Sequence, residues 1–213
     1  MENKALAFWN KQAKRYDDSE RQFDPVYKDI IAKTRAHLSA DDLVMDFGCA
    51  SGSKSFELSG AVKHIHGFDI SEEMIKEARK KQKELNILNA SFTHGSIFES
   101  DFEAAYFHKV ISYGVIHLLE ESEKVIRKIH ELLKPGGLFI STTACLKDKM
   151  ALKTRLVFST YLLSRRLGFF PLHLNRFRTG DVEDLISRGN FQIVQAERIF
   201  HDMTISFLVA RKP

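Results

Sequence analysis

LVMDFGCASGSK, which occupies residues 43–54, is the stretch around which this 213-residue chain is organised. A short apolar run ends there in an acid, Asp46, and passes directly into a loop of small residues that holds Gly48 and Gly52. This pattern predicts a strand, a tight turn and the start of a helix. Small residues in such a turn let the backbone N–H groups of the helix N-terminus approach a ligand closely, and the helix dipole favours an electron-rich group. The stretch therefore predicts a ligand-binding loop at the end of a strand.

A second acid follows at the end of the next predicted strand. The segment HIHGFDIS at residues 64–71 places Asp69 17 residues after Gly52. In an open α/β sheet, an acid at the tip of the second strand lies beside the first loop, where its carboxylate can accept hydrogen bonds from both hydroxyl groups of a ribose. We expect Asp46 and Asp69 to converge on one sugar while the loop between them holds an amino-acid tail. Together the two segments predict a nucleoside site.

The whole pattern resembles the cofactor site of the class I S-adenosylmethionine-dependent methyltransferases, in particular their small-molecule and quinone-biosynthesis branch. VMDFGCASG matches the first motif of that family, and GFDIS matches its ribose-binding acid after strand two. Further matches follow in the family's order, namely GSIFES at 95–100, KVISYGVIHLL at 109–119 and LLKPGGLFI at 132–140. The resemblance implies a Rossmann-like α/β fold with a seven-stranded, mostly parallel sheet, a C-terminal antiparallel hairpin and helices on both faces. Within it, Pro-Gly-Gly at 135–137 is expected to stop a helix before strand five, at 138–143.

The resemblance also implies S-adenosyl-L-methionine as the cofactor, S-adenosyl-L-homocysteine as its product, and a set of residues that bind them. Two positions depart from the family's pattern. Ser96 stands where most relatives have an acid that accepts a hydrogen bond from the adenine amino group; its hydroxyl can still accept that bond, but without a charge. Ala50 replaces the usual middle glycine, and its methyl group is sterically minor only if its φ is negative. The implied cofactor-binding residues are Asp46, Gly48, Cys49, Ala50, Gly52, Asp69, Ile70, Ser96, Ile97 and Tyr113.

Composition and length favour one soluble globular domain. Hydrophobic residues make up 44% and charged residues 28% of the chain, and no apolar run reaches the roughly 18 residues that span a bilayer. Cys49 and Cys145 show neither a disulfide framework nor a zinc-ligand spacing, which suits a reducing compartment. The net charge of +4 does not establish an anionic partner, and Lys80, Lys81 and Lys83 are interpreted as a solvated helix face. We expect a cytoplasmic monomer or homodimer with no stable nucleic-acid partner and no transmembrane segment, and peripheral membrane contact stays open.

Two segments of the single domain, residues 1–213, are expected to cover the site. Residues 1–40 predict an N-terminal helical lid, because small-molecule relatives often begin with a similar FW…YD segment; on that resemblance Tyr16 is a candidate contact. Residues 147–178, rich in Leu, Phe, Tyr and basic residues, predict a helical substrate cap with a basic amphipathic helix and a Gly-Phe-Phe-Pro turn. Three interpretations stay open for this segment: a lid over an apolar pocket, a surface that grips a membrane-derived or anionic substrate, or a dimer face.

His117 is the candidate catalytic residue. The sulfonium cation of the cofactor makes methyl transfer an in-line displacement, so that positioning the reactants within about 3–3.5 Å in a dry site supplies much of the rate enhancement. An oxygen or nitrogen nucleophile also needs a base, and His117 follows strand four on the ligand face with an unperturbed pKa of about 6.5. The alternative is a histidine hydrogen-bonded to backbone beside the cofactor. His173 in the cap is a weaker candidate base.

The absence of several motifs limits the classes of methyl acceptor that this sequence predicts. The Asn/Asp-Pro-Pro-Tyr segment of relatives that methylate amino groups of bases or glutamine is absent, as is a Pro-Cys nucleophile, and Ser112 stands where magnesium-dependent relatives need an acid. We therefore expect no metal and a small-molecule acceptor, apolar or anionic, with protein or RNA acceptors still open. Two alternatives to a methyltransferase are a degenerate cofactor-binding interaction protein without activity and a nicotinamide-dependent oxidoreductase. The G-x-G-x-x-G fingerprint of the oxidoreductase matches only at Gly48.

Overall fold

The structure, a computed structural model, describes residues 4–166 and 172–213, so the predicted Gly-Phe-Phe-Pro turn at 168–171 lies outside the described residues. The described strands form one seven-stranded sheet in the order β3-β2-β1-β4-β5-β7-β6. Strands β1 to β5 pair in parallel, whereas β7 runs antiparallel to both β5 and β6. The predicted Rossmann-like fold with a C-terminal hairpin is confirmed. The strands are β1 Leu43–Phe47, β2 His64–Asp69, β3 Ala90–His94, β4 Phe107–Tyr113, β5 Leu133–Ala144, β6 Gln192–His201 and β7 Met203–Arg211.

Helices pack on both faces of this sheet because alternate residues of its central strands point in opposite directions. Met45 on β1 joins a buried cluster with helices α6 and α8, while its neighbour Val44 joins a second cluster with α3 and α5. Val110 and Ile111 on β4 divide between the same two clusters. The α-helices are α1 Lys4–Gln12, α2 Tyr16–Glu20, α3 Asp24–Arg35, α4 Ser53–Ser59, α5 Glu72–Glu84, α6 Ser122–Leu132, α7 Leu152–Arg166 and α8 Thr179–Arg188.

The Pro-Gly-Gly segment at 135–137 is placed differently from the prediction. Helix α6 ends at Leu132 and β5 begins directly at Leu133, so the segment lies within the bounds of the strand rather than before it. The reason is an early pairing of Leu133 with Phe107, followed by an irregularity in the register before Leu138 pairs with Lys109. The segment therefore bends a strand that has already started.

The topology brings the predicted site residues to one edge of the sheet. Parallel strands β1 to β4 all end at the same edge, and ligands of open α/β sheets bind in the crevice outside these carboxyl ends. The helices at 4–35 and the segment after α7 both reach this edge. Within residues 4–166 and 172–213, no helix is long and apolar enough to cross a membrane.

Candidate active site

A cavity of about 540 Å³ lies at the carboxyl edge of the sheet, within the roughly 300–1,000 Å³ range of small-molecule sites. Loops after the first four strands each contribute to its wall, and two further segments, called the covering segments, complete its lining. Seven of the predicted cofactor residues line it, namely Gly48, Ala50, Asp69, Ile70, Ser96, Ile97 and Tyr113. The covering segments add Trp9 and Tyr16 from the N-terminal helices and Leu172 and His173 from the segment after α7.

The loop after β1 is held in a left-handed conformation at three positions. Gly48 has φ +74°, and a Cβ atom there would lie 2.4 Å from Cγ2 of Val115, so this position requires glycine. Ala50 has φ +47°, which does not meet the condition of a negative φ under which its methyl group would be minor. A left-handed non-glycine residue costs about 1–2 kcal/mol. Ala50 adopts this strained conformation, and its backbone N–H donates a hydrogen bond to the carboxylate of Asp69.

Asp69 organises the loop and still has acceptor capacity. Its Oδ2 accepts from the backbone N–H of Ala50 at 2.9 Å, and its Oδ1 accepts from the N–H of Ser71 at 2.8 Å. Burial raises the pKa of this carboxyl group, while the two backbone hydrogen bonds oppose the rise. Because each carboxylate oxygen can accept two hydrogen bonds, one acceptor position per oxygen remains for a diol in the cavity. Asp69 therefore fits a ribose.

Asp46 lies on the other side of the same loop. Its carboxylate is 2% exposed, accepts a hydrogen bond from Oγ of Ser55 at 2.5 Å, and lines a smaller cavity of about 30 Å³ together with Cys49. Burial raises its pKa to about 7, and the negative charge of Asp69 adds to the rise. The two acids thus face different cavities, in contrast to the expectation that both converge on one sugar.

Both signs of charge meet in this smaller cavity, at residues that the sequence did not single out. Glu20 bonds to the hydroxyl of Tyr27, and Nζ of Lys54 lies 4.2 Å from the centroid of the Tyr27 ring. Burial raises the pKa of Glu20 and of Tyr27. Because Tyr16 and Gly48 line both cavities, the charged cluster adjoins the main one. It suits the ammonium and carboxylate groups of an amino-acid tail.

Ser96 and Tyr113 stand at opposite sides of the loop after β1. The hydroxyl oxygen of Ser96 accepts from the backbone N–H of Phe98 at 3.3 Å and keeps a second lone pair for an amino group. The hydroxyl of Tyr113 is bonded to Oγ1 of Thr34 at 2.6 Å, and burial raises its pKa. Tyr113 is therefore a fixed wall of the cavity. Gly52, also predicted to contact the cofactor, has φ +79° and precedes α4.

His117 is placed less favourably for catalysis than the sequence predicts. It stands outside the set of described side chains that line the 540 Å³ cavity. Its Nδ1 is buried without a hydrogen-bond partner among residues 4–166 and 172–213, and burial lowers its pKa to about 4. Its backbone oxygen accepts from the N–H of Asn175 at 2.7 Å. The catalytic role of His117 stays a prediction.

His173 lines the cavity and is oriented by Asn175. The side-chain Nδ2 of Asn175 donates to the backbone oxygen of Leu119 at 2.6 Å, which turns its Oδ1 toward His173. That oxygen lies 3.0 Å from Nε2 of His173. Since Oδ1 can only accept, Nε2 must donate, and Nδ1 of the neutral ring keeps its lone pair. Asn175 thereby selects the tautomer in which Nδ1 can accept a proton.

The N-terminal helices are fastened to the loop and to α5 through Asp17. Its Oδ1 accepts from the hydroxyls of Ser51 at 2.5 Å and Ser53 at 3.0 Å, and Nζ of Lys81 lies 2.7 Å from its Oδ2. Although burial raises the pKa of Asp17, its hydrogen bonds with Lys81 and Ser51 lower it overall. The interpretation of Lys81 as a solvated residue is therefore wrong, because it completes this network.

A doubly wound sheet with a buried acid after β2 that keeps free acceptor positions is the arrangement expected of a nucleoside-binding α/β protein. A family model described as a methyltransferase domain matches residues 38–166, which is more than half of the chain. The chain therefore belongs to the methyltransferase domain family. It is a class I S-adenosylmethionine-dependent methyltransferase, as its resemblance implied, and its cofactor is S-adenosylmethionine. The alternative of a nicotinamide-dependent oxidoreductase is set aside.

Individual relatives support this family, and their matches cover different shares of the chain. An uncharacterised methyltransferase of Oceanobacillus iheyensis is 28% identical over 163 residues, covering 74% of this chain and 72% of that protein. Demethylmenaquinone methyltransferase of Listeria welshimeri is 31% identical over 98 residues, but the match spans only 44% of this chain and 41% of that enzyme. A methyltransferase of Haloferax volcanii, solved in complex with the activator Trm112, has a TM-score of 0.75 at 16% identity, with 98% of this chain and 96% of that chain covered. This last likeness shows the fold alone.

Proposed function

We propose that the protein transfers the methyl group of S-adenosylmethionine to a small apolar acceptor that binds beneath the segment 147–178. One observation carries the proposal: a single cavity of about 540 Å³ extends from Asp69 and Ser96 to Leu172 and His173. It therefore joins a nucleoside-binding end to a covered end. The demethyl quinone named for the Listeria relative is an acceptor of the apolar kind.

The proposal assigns each end of the cofactor to described residues. Asp69 holds the ribose through its two remaining acceptor positions, and Ser96 accepts from the adenine amino group. The amino-acid tail points toward Glu20, Asp46 and Lys54, where both signs of charge are present. When bound, the cofactor supplies an electrophilic methyl group on a sulfonium centre. Methyl transfer then depends on how the cavity walls position the acceptor and exclude water.

The acceptor side of the cavity combines apolar walls with His173, and the carboxylates of Glu120 and Glu121 also line it. Val115, Leu118 and Leu172 line it with aliphatic groups. His173 lies among them. In its neutral ring Nε2 donates to Oδ1 of Asn175 and Nδ1 keeps its lone pair, so we assign Nδ1 the role of accepting the proton that a hydroxyl acceptor loses. His117 is the less suitable base, since it stands outside the described residues of this wall, its Nδ1 is buried, and its pKa is lowered to about 4.

Two covering segments belong to the same proposal. We treat residues 1–40 as a lid, supported by the Asp17 network, and residues 147–178 as a substrate cap, supported by Leu172 and His173 in the cavity wall. The proposal also keeps a cytoplasmic monomer or homodimer, which size-exclusion chromatography with light scattering checks directly.

The experiment combines binding with turnover. Titration calorimetry with S-adenosylmethionine and S-adenosylhomocysteine should show saturable binding, and the purified enzyme should transfer a labelled methyl group to at least one of a panel of quinols, phenols and amines. His173→Gln should lower kcat at least about 100-fold with a reduced apolar quinol while leaving cofactor affinity unchanged. His117→Gln is the matched variant and should keep most of the turnover.

The proposed function and the assignment of His173 as the base can each be contradicted by a different result. If neither cofactor binds at millimolar concentration, the proposed function is wrong. If His117→Gln abolishes turnover and His173→Gln does not, the base is His117 and the assignment made from the cavity wall is wrong.

A further inference from the structure

Helix α7 turns an apolar stripe away from the domain. Leu152, Leu156 and Leu163 are 73%, 62% and 59% exposed, although large aliphatic side chains usually pack inside. At about 3.6 residues per turn these three leucines fall within one narrow face of the helix. The opposite side is mixed: Thr154 and Phe158 are partly buried, whereas Val157 and Tyr161 are 47% and 45% exposed. The leucine face is therefore the most exposed side of a helix that shows apolar side chains to solvent on more than one side.

Basic side chains border the stripe on both sides. Lys153 and Arg155 are exposed and lie about 80° to either side of its centre. Neither forms an ion pair with any residue in the described ranges 4–166 and 172–213. We call these five residues, Leu152, Lys153, Arg155, Leu156 and Leu163, the α7 surface. An apolar stripe between two cationic edges is the pattern of a helix that lies in the interface of an anionic bilayer.

The sequence segment that contains this surface is strongly basic. Residues 147–178 contain eight basic side chains and one acidic one, a net charge of +7 in a chain of net charge +4. The remaining residues therefore carry a net charge of −3. A second copy of the chain docked on the α7 surface by two-fold symmetry would bring two such cationic segments together, which disfavours a dimer there. An anionic lipid surface complements both the charge and the stripe.

The α7 surface is also tied to the site. The backbone N–H of Ala151, directly before α7, donates to the oxygen of Asp202 at 2.7 Å, which fixes the start of the helix against the turn between β6 and β7. Further along, Leu172 and His173 line the cavity. Because only five residues separate the end of α7 from Leu172, a helix seated on a bilayer would place this end of the cavity within about 20 Å of the lipid.

We propose that the α7 surface docks the protein on an anionic membrane surface, from which an apolar acceptor reaches the cavity. The docking itself does not require methyl transfer, because it is a property of an exposed helix face. The idea that the acceptor comes from the membrane rests on the proposed function. Binding to lipid and turnover are therefore measured separately.

Vesicle flotation tests the docking without cofactor or acceptor. The protein should float with vesicles in which about a third of the lipid is phosphatidylglycerol, but not with phosphatidylcholine vesicles, and roughly 0.5 M salt should weaken the binding. The double variant Leu156→Gln and Leu163→Gln should bind at least about tenfold more weakly. Neutralising both cations, Lys153→Gln and Arg155→Gln, should weaken binding roughly thirtyfold at low salt. Circular dichroism and cofactor affinity report whether each variant is folded.

Matched controls use exposed residues on another part of the fold. Leu88→Gln removes a leucine that is 85% exposed, and Lys80→Gln with Lys83→Gln removes two exposed cations from α5. Both controls should float like the native chain. Equal binding of the native chain and the cation variant would overturn the proposal, as would a native chain that binds neither kind of vesicle. A dimer in solution that the two α7 leucine substitutions dissociate would also overturn it, by assigning the surface to a second copy.

Discussion

Replacement of Asp69 gives the sharpest prediction, because this side chain has a structural and a ligand-binding role that can be measured apart. In the free protein it accepts from the N–H groups of Ala50 and Ser71. Its remaining acceptor positions are assigned to two ribose hydroxyls. Hydrogen bonds to a charged group contribute about 1.5–3 kcal/mol each, so losing two of them weakens binding by about 3 kcal/mol or more. This is a loss of about 100-fold in affinity, and tenfold is the least that the account allows.

The structural role sets a second, separate effect. Asp69→Ala leaves the N–H groups of Ala50 and Ser71 to water, so we expect a destabilisation of about 1–3 kcal/mol in addition. Asp69→Asn keeps one acceptor oxygen and should fall between the native chain and Asp69→Ala in both measurements. Titration calorimetry with S-adenosylhomocysteine gives the affinity, and urea unfolding gives the stability. Asp101→Ala, at an exposed acid outside the cavity wall, is the control.

If Asp69→Ala is folded and binds S-adenosylhomocysteine with unchanged affinity, the ribose does not contact this carboxylate. A loss of affinity in Asp101→Ala of the same size would show that the effect is general and says nothing about Asp69.

Three further predictions concern the pH dependence, the lid and the base. Burial raises the pKa of Asp46 to about 7, so between its ordinary value of 3.8 and that value the native state binds more protons than the unfolded state, and the free energy of unfolding falls as pH rises. Asp46→Asn should remove this fall, which is at most about 3 kcal/mol between pH 5 and pH 8, in thermal unfolding at those two pH values; a native chain equally stable at both would contradict it. Asp17→Ala removes the acceptor for Ser51 and should speed amide exchange in residues 4–23 several-fold with the strands unaffected, whereas unchanged exchange would show that the network does not fasten the lid. Asn175→Ala removes the acceptor that fixes the His173 ring and should lower kcat at least about tenfold with cofactor affinity unchanged, whereas an unchanged kcat would show that Asn175 does not position the base.

The sequence was sufficient for the sheet and for most of the loop chemistry. Strands, acids and glycines follow each other in a fixed order, and the parallel topology brings their ends to one edge. Asp69, Ser96 and Tyr113 therefore lie in one cavity as predicted. The position of Asp46 could not be predicted, because its carboxylate turns toward Ser55 and leaves the cavity wall to its neighbours.

Other features depend on packing between elements far apart in the chain. Glu20 and Tyr27 reach Lys54 only because α2 and α3 fold back over α4, and no local spacing signals this. Lys81 lies on a helix rich in lysine and looks solvated until Asp17, 64 residues earlier, is brought beside it. The preference for His173 over His117 depends on the cap, since both histidines have plausible positions in the sequence alone.

A crystal structure with S-adenosylhomocysteine bound is the most direct test of the central claim, that Asp69 and the loop after β1 form the cofactor site. We predict both ribose hydroxyls at hydrogen-bonding distance, about 2.6–3.0 Å, from the carboxylate of Asp69, with the amino-acid tail directed toward Glu20 and Lys54. A ribose that lies away from Asp69, or a ligand bound outside the 540 Å³ cavity, would contradict the account.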